Sequence, residues 1–153
     1  MKKIKNGHAF RQTGFTLFEL LITISIIAII TAIATVSYSN AQKKGRDARR
    51  MQDMKNIQTA AEQYYLMNNS VYPPVGTVAA FSSGLISGGF LQAWPVDPKN
   101  VTPYTVTGGF VVGVPDYCVC AQLENTTAGN SINASCNFTG VGNKTHYCVK
   151  NQQ

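Results

Sequence analysis

The longest apolar segment of this 153-residue chain lies near its start. Residues 15–36 contain a single charged side chain, Glu19, and neither glycine nor proline. A helix rises about 1.5 Å per residue, so these 22 residues reach about 33 Å, enough to cross a bilayer core of about 30 Å. The pattern predicts a membrane-spanning helix. A carboxylate inside such a helix is costly, which makes Glu19 a candidate functional residue.

Beyond residue 38 the apolar pattern becomes periodic. Met51, Met54, Ile57 and Ala61 recur at spacings of three and four, with charged residues at other positions. This spacing predicts that the helix continues as an amphipathic helix and ends near residues 68–70, ahead of two prolines. We interpret the charged residues between positions 43 and 50 as a solvated collar of this helix.

The remainder, residues 69–153, predicts a small β-rich head. A short broken helix is expected around residues 78–91, and three prolines exclude a helix over residues 94–104. The fold class is therefore α+β, with a long N-terminal helix packed on a small antiparallel sheet. The β-rich runs that predict strands are residues 104–107, 110–114, 117–123 and 145–149.

All four cysteines lie in the head. An even number of cysteines in a small domain beyond a membrane span favours disulfides in an oxidising compartment. A zinc site is the alternative, although the spacing lacks a Cys-x-x-Cys knuckle. Residues two apart in a strand point to one face, as Cys118 and Cys120 do. Of three possible connectivities we predict Cys118–Cys148, joining two strands, and Cys120–Cys136, closing the loop.

Charge and composition limit the function classes. The formal net charge is +6, but four of the 13 Lys and Arg lie in residues 1–14, which leaves nine basic against seven acidic residues beyond them. We therefore do not expect nucleic acid as a partner. The two histidines, His8 and His146, accompany no nucleophile set, phosphate loop or paired carboxylates, so we expect neither an enzyme nor a cofactor. Acidic residues near positions 124–144 are too scarce for a calcium cage, so no metal is expected.

Three interpretations compete for the N-terminus. A cleaved secretory signal has a shorter apolar core, of about 7–15 residues, and no carboxylate within it. A plain signal anchor accounts for the length but leaves Gly14 and Glu19 unexplained. Basic residues flank both ends of the span, so charge does not orient it, and the cysteines favour an N-terminus in the cytoplasm.

The third interpretation rests on a motif. Arg-Gln-Thr-Gly at residues 11–14, followed by Phe-Thr-Leu-Phe-Glu at residues 15–19, resembles the class III signal of type IV pilins and pseudopilins. The resemblance implies that a prepilin peptidase cleaves between Gly14 and Phe15 and methylates the new terminus at Phe15. It also implies that Glu19 meets the terminal amine of a neighbouring subunit. An intrachain pair with Phe15 is the alternative, because residues i and i+4 share a helix face.

The head carries a second resemblance. Asn-Ser-Val-Tyr-Pro at residues 69–73 and the proline-rich stretch at residues 94–104 are similar to the major pseudopilins of type II secretion systems. Together the resemblances imply a pilin-like fold. The expected segments are a removed leader (1–14), a transmembrane and filament-core helix (15–38), its amphipathic second half (39–68) and a disulfide-stapled head (69–153).

The function implied is structural. We expect a subunit that polymerises through its N-terminal helix into a type IV pilus or pseudopilus, serving adhesion, motility, DNA uptake or protein secretion. Its partners would be copies of itself, the prepilin peptidase, an inner-membrane assembly platform and, before assembly, the bilayer of the cytoplasmic membrane. The filament would then be extracellular or periplasmic. The alternatives are a minor tip subunit that binds a surface or DNA, and a signal-anchored ectodomain that never polymerises.

Overall fold

The computed structural model describes residues 14–99, 104–108 and 116–152, and the chain divides into two compact units with a boundary after Ser39. Helix α1 runs through both units, and the other elements belong to the second. This arrangement confirms the α+β class with a long N-terminal helix and a small antiparallel sheet. The predicted strand at residues 110–114 lies outside the described residues. The elements are α1 (Leu17–Met67), α2 (Val78–Ser87), β1 (Thr105–Gly108), β2 (Tyr117–Gln122) and β3 (His146–Lys150).

The first unit contains the apolar part of α1. Within the described residues, α1 is the one helix long and apolar enough to cross a bilayer, and none of its most apolar stretch is buried. The hydroxyl groups of Thr23, Ser25, Thr31 and Thr35 donate to backbone carbonyls three or four residues earlier. These hydroxyls therefore need no water or partner chain, which suits an apolar surrounding.

In the second unit, the amphipathic half of α1 packs on the sheet and on α2. Met54, Ile57 and Ala61 are fully buried and share one core with Phe81 of α2 and Tyr117 of β2. The predicted apolar stripe is thus the face that the head covers. Burial of these side chains is the main stabilising contribution to this unit.

The end of α1 agrees with the prediction. Asn69 and Ser70 adopt left-handed backbone conformations, with φ of 52° and 61°. Two successive left-handed residues cannot continue a right-handed helix. The Ser70 amide instead donates to the Tyr65 carbonyl at 3.1 Å, which satisfies an otherwise free carbonyl of the last turn.

Tyrosine hydroxyls tether the head to carboxylates of α1. Tyr72 and Tyr117 both donate to Glu62, at 2.9 and 3.1 Å, and Tyr104 donates to Asp53 at 2.7 Å. Burial, together with the nearby carboxylate, raises the pKa of each of these hydroxyls. The tyrosines therefore stay neutral donors throughout the physiological range.

The sheet has the order β1-β2-β3, with both pairs antiparallel. Val106, Val119 and Val149 occupy one row across the three strands and face the helical core. Cys118 and Cys120 lie on the opposite face, as expected from their spacing of two residues.

The predicted cysteine pairing is wrong, although all four cysteines are disulfide-bonded. The bonds join Cys118 to Cys136 and Cys120 to Cys148. The reason is the register of β2 against β3, which places Cys120 directly opposite Cys148 and Cys118 opposite Lys150. The predicted bond between Cys118 and Cys148 would require a register shifted by two residues from the one observed. The sulfur atoms of all four residues lie within 4.8 Å of one another, but disulfide sulfurs are not the thiolates that zinc requires.

The long polar loop between β2 and β3 is held at several points. Asn130 both donates to the Cys148 carbonyl and accepts from the Cys148 amide, each at 2.8 Å. Ser131 forms an isolated antiparallel bridge with His146. With the bond from Cys136 to Cys118, these contacts lay the loop over the cysteine face of the sheet.

Candidate functional site

The predicted processing site lies in an open segment. Gly14 and Phe15 precede the first helical residue, Leu17, and Phe15 is 88% exposed. A Cβ atom added to Gly14 would meet nothing within 4 Å. The peptide bond between these residues therefore lies outside the helix in an exposed segment, which is where proteases accept a substrate. Cleavage and methylation at this position remain predictions.

Glu19 caps the N-terminus of its own helix. Its Oε2 atom accepts from the Thr16 amide at 2.9 Å and from the Thr16 hydroxyl at 2.8 Å. The Glu19 amide donates in return to the Thr16 hydroxyl oxygen at 3.2 Å. This reciprocal arrangement is a capping box, which satisfies amides that the first helical turn leaves free.

The capping box was missed in the sequence, although Thr-x-x-Glu at residues 16–19 is its signature. The partner of Glu19 in the uncleaved chain is Thr16. In this chain the nitrogen of Phe15 belongs to a peptide bond, so no free amine is present to pair with. Pairing of Glu19 with a processed terminus, in its own chain or in a neighbouring one, therefore stays a prediction.

The apolar half of α1 presents hydrophobic side chains on every side. The large apolar residues from Phe15 to Val36 are between 42% and 88% exposed. A helix that is apolar all round is stable only when lipid or other apolar helices cover it. This segment therefore has two chemically equivalent surroundings, a bilayer or a bundle of like helices.

A buried ionic cluster fastens α1 to the head. Arg50 is 2% exposed and contacts three carboxylates: Asp97 at 2.5 Å, Asp47 at 2.8 Å and Glu124 at 3.2 Å. Two guanidinium nitrogens of Arg50 bind the two oxygens of Asp97, a fork that fixes orientation as well as charge. The cluster therefore joins one turn of α1 to the segment before β1 and to the loop after β2.

The remaining contacts of the cluster compensate its charge. Asp47 accepts from the backbone amides of Glu124 and Asn125, each at 2.9 Å. Glu124 also binds Arg46 at 2.6 Å and Lys99 at 2.8 Å. The hydrogen bonds from Arg46 hold the pKa of Glu124 below its ordinary value, and those from Arg50 do the same for the pKa of Asp97. Both carboxylates are therefore ionised throughout the neutral range.

This cluster corrects the interpretation of residues 43–50 as a solvated collar. Asp47 and Arg50 are buried, and Arg46 is partly buried against Glu124. The signal was present in the periodicity, because Arg50 lies one turn before Met54 and continues the buried stripe. A charged residue on that stripe indicates a buried ion pair, but its distant partners are set by the fold. Lys43, Lys44 and Arg49 remain exposed, as predicted.

Comparison with known proteins bears directly on the N-terminal site. The family described as the prokaryotic N-terminal methylation motif matches residues 9–35, which include Gly14, Phe15 and Glu19. Relatives are named as type IV pilins or as type II secretion system proteins. The type IV major pilin protein PilE of Neisseria gonorrhoeae is 32% identical over 92 residues, which cover 60% of this chain and 54% of the relative. The type II secretion system core protein G of Aeromonas hydrophila is 27% identical over 104 residues, which cover 61% of this chain and 71% of the relative.

These matches agree with the resemblance of the chain to type IV pilins and type II pseudopilins. The type II secretion system core protein G of Vibrio cholerae is a further relative, with 27% identity over 107 residues. The chain spans about half the length of the Neisseria pilins that it matches. The long apolar helix and small antiparallel sheet give this chain a pilin-like fold.

Proposed function

We propose that this pilin-like chain is a structural subunit that polymerises through α1 into a type IV pilus or pseudopilus. The observation that carries the proposal is the apolar half of α1, which is exposed on every side and directly follows the open Gly14–Phe15 bond. Cleavage there would remove the four basic residues of the leader and leave the helix with one ammonium group at its start. The helix could then exchange lipid for neighbouring copies at little change in hydrophobic burial.

The membrane state comes first in this scheme. The chain would be inserted in the cytoplasmic membrane with its N-terminus in the cytoplasm, where the prepilin peptidase acts. An inner-membrane assembly platform would then move the processed subunit into an extracellular or periplasmic filament. No step in this scheme involves catalysis by the chain itself or needs a cofactor.

Glu19 would guide the entry of each subunit. An ionised carboxylate in an apolar filament core is tolerated only when it is paired. The ammonium group of Phe15 in a neighbouring subunit supplies the opposite charge, and release from Thr16 frees the carboxylate to meet it. The pair would fix the axial position of one helix against the next.

Electron microscopy of filaments sheared from cells tests the proposal. Cells that express the chain with a prepilin peptidase and assembly platform should yield thin filaments that an antibody against the head decorates along their length. Decoration confined to the tips would favour the minor-subunit alternative. Cells that process and retain the protein in the membrane, with no decorated filament, would contradict the proposal.

A further inference from the structure

Lys43 and Lys44 are exposed cations without a counter-ion among the residues that the structure describes. Their neighbours on α1 differ, because Arg46 and Arg50 bind carboxylates of the head. Four other described carboxylates have partners elsewhere. Asp53 and Glu62 of α1 accept hydrogen bonds from tyrosine hydroxyls, and Arg50 binds Asp47 of α1 and Asp97 of the head.

The two lysines line a half-open concavity of about 280 Å³. Asn40 and Asn125 line the same concavity. The Oδ1 atom of Asn125 accepts from the amide and hydroxyl of Thr127, and its two amide N–H donors have no acceptor among the described residues. The concavity thus gathers two ammonium groups and amide donors, a set suited to phosphate oxygens.

The carboxylate in this concavity does not neutralise the lysines. Glu124 is its acidic member, and three cations, Arg46, Arg50 and Lys99, already bind that residue. The local charge facing solvent is therefore positive. A bound phosphodiester would restore the balance.

The position along the chain identifies the source of the phosphate. Lys43 and Lys44 follow Tyr38 by five and six residues in α1, a helical rise of about 8–9 Å. The polar headgroup layer of a bilayer is about 5–8 Å thick beyond the apolar core. Lysine side chains extend further along an apolar surface to reach such a layer. The two lysines therefore lie close enough to the apolar segment along the chain to reach headgroups when that segment spans the bilayer.

We infer that Asn40, Lys43, Lys44 and Asn125 form a binding site for the phosphate of an anionic phospholipid headgroup, of the phosphatidylglycerol class. The inference rests on the proposed function in one respect, the insertion of α1 in a bilayer before assembly. A lysine next to a membrane span strengthens attraction to an anionic surface about fivefold. Zwitterionic phosphatidylcholine carries its own counter-charge and gains little from the two lysines.

Spin-label electron paramagnetic resonance on the full chain in bilayers tests the site. The probes are spin-labelled phosphatidylglycerol and phosphatidylcholine, and the readout is their relative association constant. The wild type should prefer phosphatidylglycerol about fivefold or more at low salt, and less at about 0.5 M salt, where exposed charges are screened. K43Q/K44Q should bring the ratio close to one. K55Q is the matched control, an exposed lysine of the same helix outside this concavity, and should keep the preference.

Two outcomes overturn the inference while leaving the proposed function intact. One is a chain that resists alkaline extraction from vesicles yet associates equally with both lipids, or keeps its preference in K43Q/K44Q. The other is the absence of lipid preference together with binding of short duplex DNA that K43Q/K44Q abolishes, which would assign the concavity to nucleic acid. A chain that alkaline carbonate extracts completely from vesicles would contradict both the site and the proposed function.

Discussion

Glu19 has one observed contact and one proposed role. In the uncleaved chain its carboxylate closes a capping box with Thr16 at 2.8–2.9 Å. The proposed filament needs the same carboxylate for the ammonium group of a neighbouring Phe15. The sequence predicted a functional carboxylate from its cost in an apolar span. The capping partner was also indicated by the Thr-x-x-Glu signature, but it was recognised only in the geometry of the first turn.

Substitution of Glu19 separates the two roles. E19A should leave the protein in the membrane but lower the yield of sheared filaments at least about tenfold, because an ammonium group would enter the filament core unpaired. T16V is the matched control, because it removes the capping hydroxyl and keeps the carboxylate. Its filament yield should remain within about twofold of the wild type. Normal filament yield from E19A, measured by immunoblot of sheared fractions, would refute the pairing role.

Arg50 and Arg49 are adjacent in sequence but opposite in environment. Arg50 is buried among Asp47, Asp97 and Glu124, whereas Arg49 is exposed and forms no ion pair with a described residue. Composition and local charge do not distinguish the two. The position around the helix distinguishes them, because residue 50 lies on the buried face of α1 that continues to Met54.

Substitution of Arg50 gives a stability prediction, and the same substitution of Arg49 is its control. R50M should lower the free energy of unfolding by about 3–5 kcal/mol, since it leaves buried carboxylates without their cation. R49M should change it by no more than about 0.5 kcal/mol. Urea unfolding of the full chain in detergent micelles, followed by Trp94 fluorescence, measures both. Equal effects of the two substitutions would contradict the buried cluster.

At the scale of elements, the periodicity of apolar residues predicted the helices and strands that this periodicity determines. The extent of α1, the buried stripe and three strands follow from spacings of 3.6 and 2 along the chain. The register between β2 and β3 does not, because a shift of two residues keeps every side chain on its own face. Cys118 and Cys120 satisfy the same face rule, so the sequence could not decide which of them meets Cys148.

The pairing of cysteines tests that register. C118S/C136S should retain the bond between Cys120 and Cys148 and so show no thiol that iodoacetamide alkylates under denaturing, non-reducing conditions. C118S/C148S should instead leave Cys120 and Cys136 without their native partners and show two alkylated thiols by mass spectrometry.

Each lost bond should lower the free energy of unfolding by about 3–4 kcal/mol, given sequence separations of 18 and 28 residues. The opposite alkylation pattern, with free thiols in C118S/C136S and none in C118S/C148S, would restore the pairing first predicted and contradict the strand register.

For the whole molecule, the two units differ in how much of their structure could be predicted from the sequence. For the described part of the apolar unit, length and hydropathy predict the helix, whereas the hydrogen bonds between Thr16 and Glu19 at its start were missed. The head depends on contacts between distant residues, such as Arg50 with Asp97 and Tyr104 with Asp53. Those contacts became visible only once the fold brought α1 and the sheet together.

The N-terminal segment is the proposed functional site, and the head is carried by it. In the proposed function the chain is cut before Phe15 and the processed helix enters a filament. The claim is tested most directly by intact and N-terminal mass spectrometry of the protein in sheared filaments, from cells with an active prepilin peptidase. We predict a chain that begins at N-methylated Phe15. A filament or membrane fraction in which the chain still begins at Met1 would contradict the account.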